Sequence, residues 1–225
     1  MKNNSLLIGI LCLLLGCLSC QKERPGDTII LVGEESYVKS LKELIVIDSL
    51  KNVFPHQFGD MPQGLIPPNI EGEYFIDSLQ LLHSNYAITE NAAEIHLEVS
   101  QQHNRVATVR IHQGTTAVTD TAYIMGSVTL SDNDTLGYFT LYLKEEKEIN
   151  FQDAHSVTRF VVFTGVKNRQ GIQNLKYGSI VLDSDFQENL YVGPFTPGAY
   201  FIYRDADGLS ENSDWFYTQG EGGTP

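Results

Sequence analysis

The side chains able to do chemistry in this chain are its carboxylates and imidazoles. Asp and Glu number 28 and His 6, against 3 Cys that all fall within the first twenty residues. Asp205-Ala206-Asp207-Gly208 sets two carboxylates two residues apart before a glycine. That spacing resembles part of a calcium loop, where close carboxylates coordinate and glycine permits the sharp bend. The full pattern would begin at Tyr203 and end at Asp214, so it lacks a carboxylate at its start and a glutamate at its end. A tight turn is the better reading, with Asp supporting its own backbone and Gly208 at positive φ. Asp205 and Asp207 remain the nearest approach to a metal site; no metal and no cofactor is expected.

The histidines are His56, His83, His96, His103, His112 and His155, and no pair has the i,i+4 helical or i,i+2 strand spacing that aims two rings at one ion. His96 and His112 would meet across a hairpin, with Glu94, Glu98 and Arg110 on the same polar face. Three readings stay open: a solvated outer face, the polar lining of a ligand-binding barrel lumen, and a metal or acid–base site. Alternation alone does not say which way that face looks. Tyr138 and Tyr142 lie opposite the apolar residues of their strand, either as a stacking platform for a sugar or apolar ligand or as plain cover for a sheet. No Gly-x-Ser-x-Gly elbow and no phosphate-cradling glycine loop is present. A glycosidase-type carboxylate pair is defined by separation in space and is not legible here. No catalytic residue is assigned, and the chain is not expected to be an enzyme.

The elements that would position these groups are mostly strands. Ile95, Leu97 and Val99 alternate with Glu94, His96 and Glu98; Phe139, Leu141 and Leu143 alternate with Tyr138, Thr140 and Tyr142. Phe160 and Val162 face Arg159, Val161 and Phe163, which predicts a strand buried on both faces. Further strands are predicted over Glu73–Leu82, Val106–His112, Tyr123–Leu130, Leu175–Asp183, Ala199–Arg204 and Trp215–Thr218. Polar clusters such as Ser131-Asp132-Asn133-Asp134 and Asn168-Arg169-Gln170-Gly171 separate them. Nothing between the strands is long and periodic enough for a crossover helix, so a parallel α/β sheet is disfavoured. Before the strands, Glu34 to Phe54 has apolar residues near helical spacing, although Ile45-Val46-Ile47 would equally suit a short strand. A Pro-rich loop, Gly59 to Asn69, then crosses to the main body. The expected fold is mainly β: an antiparallel barrel or a β-sandwich with a short N-terminal helical segment.

The start of the chain carries a different signal. Leu6 to Leu15 is an apolar run of ten, about 15 Å of helix and half of a hydrocarbon core of about 30 Å, so it reads as a secretory signal and not a span. Leu14-Leu15-Gly16-Cys17 resembles the lipobox of bacterial lipoproteins. Cys17-Leu18-Ser19-Cys20 is a poorer match, but Cys20-Gln21-Lys22-Glu23 resembles the Cys, Lys and acidic start of surface-exported Bacteroidota lipoproteins. The resemblance implies acylation at Cys20, with Cys17 as the alternative, and a lipid anchor on the outer membrane, periplasmic or surface-exposed. Cys12 would leave with the signal, so the mature chain has no thiol for a nucleophile, a metal or a disulfide. Gly72-Glu73-Tyr74 resembles the Gly-x-Trp start of lipocalins with Tyr for Trp, and Thr119-Asp120-Thr121-Ala122-Tyr123 is similar to part of a second lipocalin motif. That resemblance implies an eight-stranded up-and-down barrel with a cup for a small apolar ligand.

A chain of 225 residues with formal charge −13 and no run of Lys or Arg is a poor partner for nucleic acid. The expected organisation is a signal over 1–19, a lipidated tether over 20–33, the helical segment and loop over 34–69, an antiparallel β domain over 70–219 and a tail over 220–225. The expected function is non-catalytic binding of a small apolar ligand or glycan by an envelope-anchored domain. The alternatives are an adhesin or structural component of an envelope assembly, which a sandwich with an open strand edge would suit, and a hydrolase with an unidentified carboxylate pair.

Overall fold

The computed structural model describes residues 56, 58–59, 61–62, 64–88, 94–114, 116–130, 135–151, 153–185 and 195–215. The signal, both candidate lipidation cysteines, the tether, the helical segment up to Phe54 and the tail lie outside the described residues, as do residues 216–218 of the last predicted strand.

Among the described residues ten strands follow one another: β1 Gly72–Ile76, β2 Leu79–Ser84, β3 Ile95–His103, β4 Val106–Gln113, β5 Thr116–Leu130, β6 Thr135–Phe151, β7 Asp153–Lys167, β8 Gly171–Ser184, β9 Tyr200–Asp205 and β10 Leu209–Asn212. They form one antiparallel sheet in the order β10-β1-β3-β4-β5-β6-β7-β8-β9-β2, with β10 also paired to β8. β1 and β2 run in the same direction on either side of Asp77-Ser78, and β9 and β10 do so on either side of residues 206–208. Followed as interrupted lines, the ten segments are eight. Each line is antiparallel to the next in sequence, and the last meets the first where Tyr74 pairs Asn212 and Leu79 pairs Asp205. The pairing therefore runs round a ring.

One local reading of the sequence is revised by this path and another is borne out. The single strand expected over Glu73–Leu82 is broken, because Asp77 turns its own backbone: its carbonyl accepts from Leu79 N–H at 2.7 Å and its Oδ1 from Ser78 N–H at 2.5 Å. The turn at Asp205–Gly208 is present, with Gly208 at φ 82° and Leu209 N–H donating to Asp207 Oδ1 at 3.1 Å. It does not reverse the chain but offsets it, and the line resumes as β10. The strands β5 to β8 also run longer than the apolar alternation suggested, at 14 to 17 residues. The charged stretch Lys144–Glu148 continues the ladder because hairpin partners such as Arg159 and Thr158 lie directly opposite.

The inward residues form one apolar cluster: Leu97 and Val99, Val109, Ile124, Phe139, Leu141 and Leu143, Val161 and Phe163, Leu175 and Tyr177 among them. Burying each such side chain contributes roughly 1.5–3 kcal/mol. β7 is buried on both faces as its sequence predicts, with Phe160, Val161, Val162 and Phe163 all 2% exposed or less. Part of its outer cover is Phe58, fully buried, whose ring fills the space above Gly178.

One end of the ring is crossed by residues 64–71, which include the end of the Pro-rich loop. Gly64 O accepts from Gly126 N–H at 2.8 Å along the β5 edge, and Pro68 then packs over Gly126 and Gly137. A bulge in β3, with Gln101 at φ 52°, swings Gln102 onto this segment. The Gln102 amide donates to Pro68 O and accepts from Ile70 N–H, both at 2.8 Å. Tyr74, fully buried, donates its hydroxyl to Ile70 O at 2.8 Å. Burial first, and then the Glu71 charge, push that phenol well above its ordinary range.

Candidate functional site

β3 and β4 bring His96 opposite His112 and Glu98 opposite Arg110, as the hairpin reading requires. The four lie on the face opposite Ile95, Leu97 and Val99, which belong to the inner cluster, so this polar face looks out of the ring. Arg110 pairs with Glu98 at 3.1 Å. The two imidazoles do not stand open to water. Trp215 stacks on His96 at 4.2 Å between ring centroids and tilts over His112 at 4.5 Å, while Phe75 covers His96 at 4.8 Å. Burial lowers the His96 pKa, opposed by Glu94 and aided by His112. Trp215 is the member that the sequence could not supply, because it looked like the start of a further strand.

Tyr138 and Tyr142 share the outer face of β6 but not its exposure. Tyr142 is buried, its ring stacked on Phe160 at 5.9 Å, whereas Tyr138 is 37% exposed. Tyr138 lines an open groove of about 700 Å³ across the outer face of β5 to β8, together with Thr129, Thr164, Asn174, Lys176 and Met61. Lys176 is held there by donating to the carbonyl of Phe58.

The ring interior is not uniformly apolar. Glu145, buried, lies opposite Arg159 across the β6–β7 ladder, beyond Leu143. Burial raises the Tyr177 phenol, with Glu145 as the next cause, and pushes Tyr86 up to about 12. The aromatic rings run on from Phe163 to Tyr177 at 4.8 Å, Phe201 at 5.4 Å and Tyr203 at 5.2 Å. Glu145 and Arg159 were legible only as part of a charged stretch and of a strand, since their meeting depends on the register.

The third cluster sits where the two interrupted lines face each other. Asp77, Asp205 and Asp207 bring one carboxylate oxygen each to within 4.8 Å of one another, close enough to share one cation. Asp205 is 5% exposed; its Oδ2 accepts from the buried Ser210 hydroxyl at 2.7 Å, and its Oδ1 is buried with no hydrogen-bond partner. Burial, followed among the raising causes by Asp207 and Asp77, lifts the Asp205 carboxyl to about 6, and the Ser210 bond opposes the rise. Ala206 N–H donates to Ser78 O at 2.9 Å and fixes the two interruptions side by side. Asp205 and Asp207 were visible in the sequence. Asp77, far upstream, was hidden inside a predicted strand, and its one signal was a polar Asp-Ser pair interrupting the alternation.

These features define a mainly β protein built on one ring-like antiparallel sheet, with polar clusters outside, inside and at the closing seam. Comparison with protein-family models, with curated proteins and with solved structures finds no match to this chain.

Proposed function

We propose that the chain is a lipid-anchored envelope lipoprotein whose β domain is a non-catalytic binding module, with the outer groove beside Tyr138 as its ligand site. The anchor rests on the apolar decamer and on Cys20, or Cys17 as the alternative, in their lipobox-like setting. The domain is read as a closed up-and-down barrel of eight strand-lines, an architecture shared with lipocalins, with Tyr74 buried at the start of its first line. The observation that carries the choice of site is the contrast between the two faces. Phe139, Leu141, Leu143 and Phe163 fill the middle of the ring, whereas the groove outside is open and combines an aromatic ring with Thr, Asn and Lys side chains. An aromatic flank beside hydrogen-bonding groups suits an extended polar ligand such as an oligosaccharide better than a buried apolar molecule.

Binding of oligosaccharides to the full chain in detergent, measured on a glycan array and then by calorimetry, tests the reading. Tyr138→Ala is expected to weaken binding about tenfold, the worth of one stacked aromatic contact. Unchanged affinity in that variant, or no saccharide bound at all, overturns the site. For the anchor, cells fed a radioactive fatty acid are expected to label the wild-type protein and not the Cys17→Ala, Cys20→Ala double variant; label retained by the double variant overturns the lipidation.

A further inference from the structure

We propose that Asp77, Asp205 and Asp207 form a calcium site that pins the seam of the ring. Three carboxylates whose oxygens lie within 4.8 Å of one another repel strongly unless a proton or a cation stands between them. Two oxygens that each lie about 2.4 Å from the same calcium ion are at most about 4.8 Å apart, so the observed separation suits one shared ion. Among the described residues no Lys or Arg forms an ion pair with any of the three; the nearest candidate by sequence, Arg204, instead holds Gln80 Oε1 at 2.9 and 2.6 Å.

A surface group of acids would carry no such conclusion. What distinguishes this one is Asp205, which is buried, held by Ser210 at one oxygen and left with no hydrogen-bond donor at the other, where its carboxylate neighbour is Asp207. A buried, unpartnered carboxylate oxygen is costly and is retained where something else completes it. The ligand chemistry selects the ion. The donor set is all oxygen, with no imidazole or thiolate, which favours a hard cation over zinc or copper. Two of the donors stand on turns at separate strand interruptions, and such irregular, adaptable geometry suits calcium more than magnesium, which requires a near-ideal octahedron. The ion would join the first strand-line, through Asp77, to the last, through Asp205 and Asp207, at the point where the ring closes.

The experiment is thermal unfolding of the full chain in detergent at neutral pH, first in chelator and then with calcium chloride or magnesium chloride, with terbium luminescence as a direct readout of occupancy. Calcium at about a hundred times its Kd is expected to raise the Tm by roughly 5–10 °C, and terbium emission is expected to be quenched by added calcium. Asp207→Asn, at an exposed carboxylate, is expected to fold normally and lose most of the shift, and Asp205→Asn to lose it completely. The proposal is overturned if calcium leaves both Tm and terbium emission unchanged, if magnesium gives an equal shift, or if the shift persists in Asp207→Asn.

Discussion

Replacing Gly137 by alanine is expected to cost the fold about 3 kcal/mol and to lower the Tm by roughly 10 °C, because the added methyl has no space. A Cβ at this position would lie 2.4 Å from Pro68 Cβ and 2.7 Å from Pro68 Cγ. The proline cannot swing aside as a flexible side chain would. Its ring is part of the backbone of the crossing segment, and that segment is tied down by Gln102 at Pro68 O and Ile70 N. Gly126, on the adjacent strand, meets the same ring: a Cβ there would lie 3.0 Å from Pro68 Cδ and 2.1 Å from Tyr138 O. The two glycines leave the notch that lets the segment cross the end of the ring. Melts followed by far-ultraviolet circular dichroism measure the loss. A double-mutant cycle with Pro68→Gly then tests the cause: in that background Gly137→Ala is expected to be milder by at least about 1 kcal/mol. A wild-type Tm for Gly137→Ala, or full additivity in the cycle, would show that the crossing segment does not press on β6.

The second large effect is pH-dependent and concerns Asp205 free of metal. Its folded-state pKa of about 6 lies above the ordinary 3.8, so the native state holds this proton more tightly than the unfolded chain does. For an acid shifted in this direction, the added stability is fully present below the ordinary pKa and is lost as pH rises through about 6. Asp205→Asn removes the charge while keeping an oxygen to accept from Ser210. In chelator the variant is therefore expected to match wild type near pH 4 and to exceed it by about 2 kcal/mol at pH 8. The difference between the two unfolding curves across that range is the measurement, since titrating groups remote from Asp205 cancel in it. Parallel pH profiles would mean that Asp205 ionises as an ordinary exposed aspartate. The variant thus gains stability without metal and loses the response to calcium, a combination that a merely damaged fold would not produce.

The legibility of this fold followed the range of each interaction. Alternation separated the apolar from the polar face of β3 and β6 because a half-buried strand imposes period two on its own residues. The apolar residues on both faces of β7 also announced double burial, which the structure bears out. The breaks at Asp77-Ser78 and at residues 206–208 were harder to read. Each satisfies its backbone locally, through an aspartate side chain, and neither pattern announces that the strand line resumes beyond it. The candidate site was legible only in fragments. His96 and His112 were paired correctly because a hairpin register follows from short-range spacing. Trp215 over those rings and Asp77 beside Asp205 depend on contacts between distant parts of the chain, and single-sequence patterning carries no record of those. Tyr142 illustrates the same limit. Its place opposite the apolar residues matched that of Tyr138, yet packing against Phe160 buried one ring and left the other open.

The ring also constrains how the protein can be made. Every ladder but the seam joins lines adjacent in sequence, so each can form as soon as its hairpin exists, with little chain to restrain. The seam instead joins Tyr74 to Asn212 and Leu79 to Asp205, more than a hundred residues apart. A ribosome-bound chain that has released seven lines is still an open ribbon with two bare edges. The ring of pairings is completed only when the segment ending at Asn212 emerges, so both edges need protection until then.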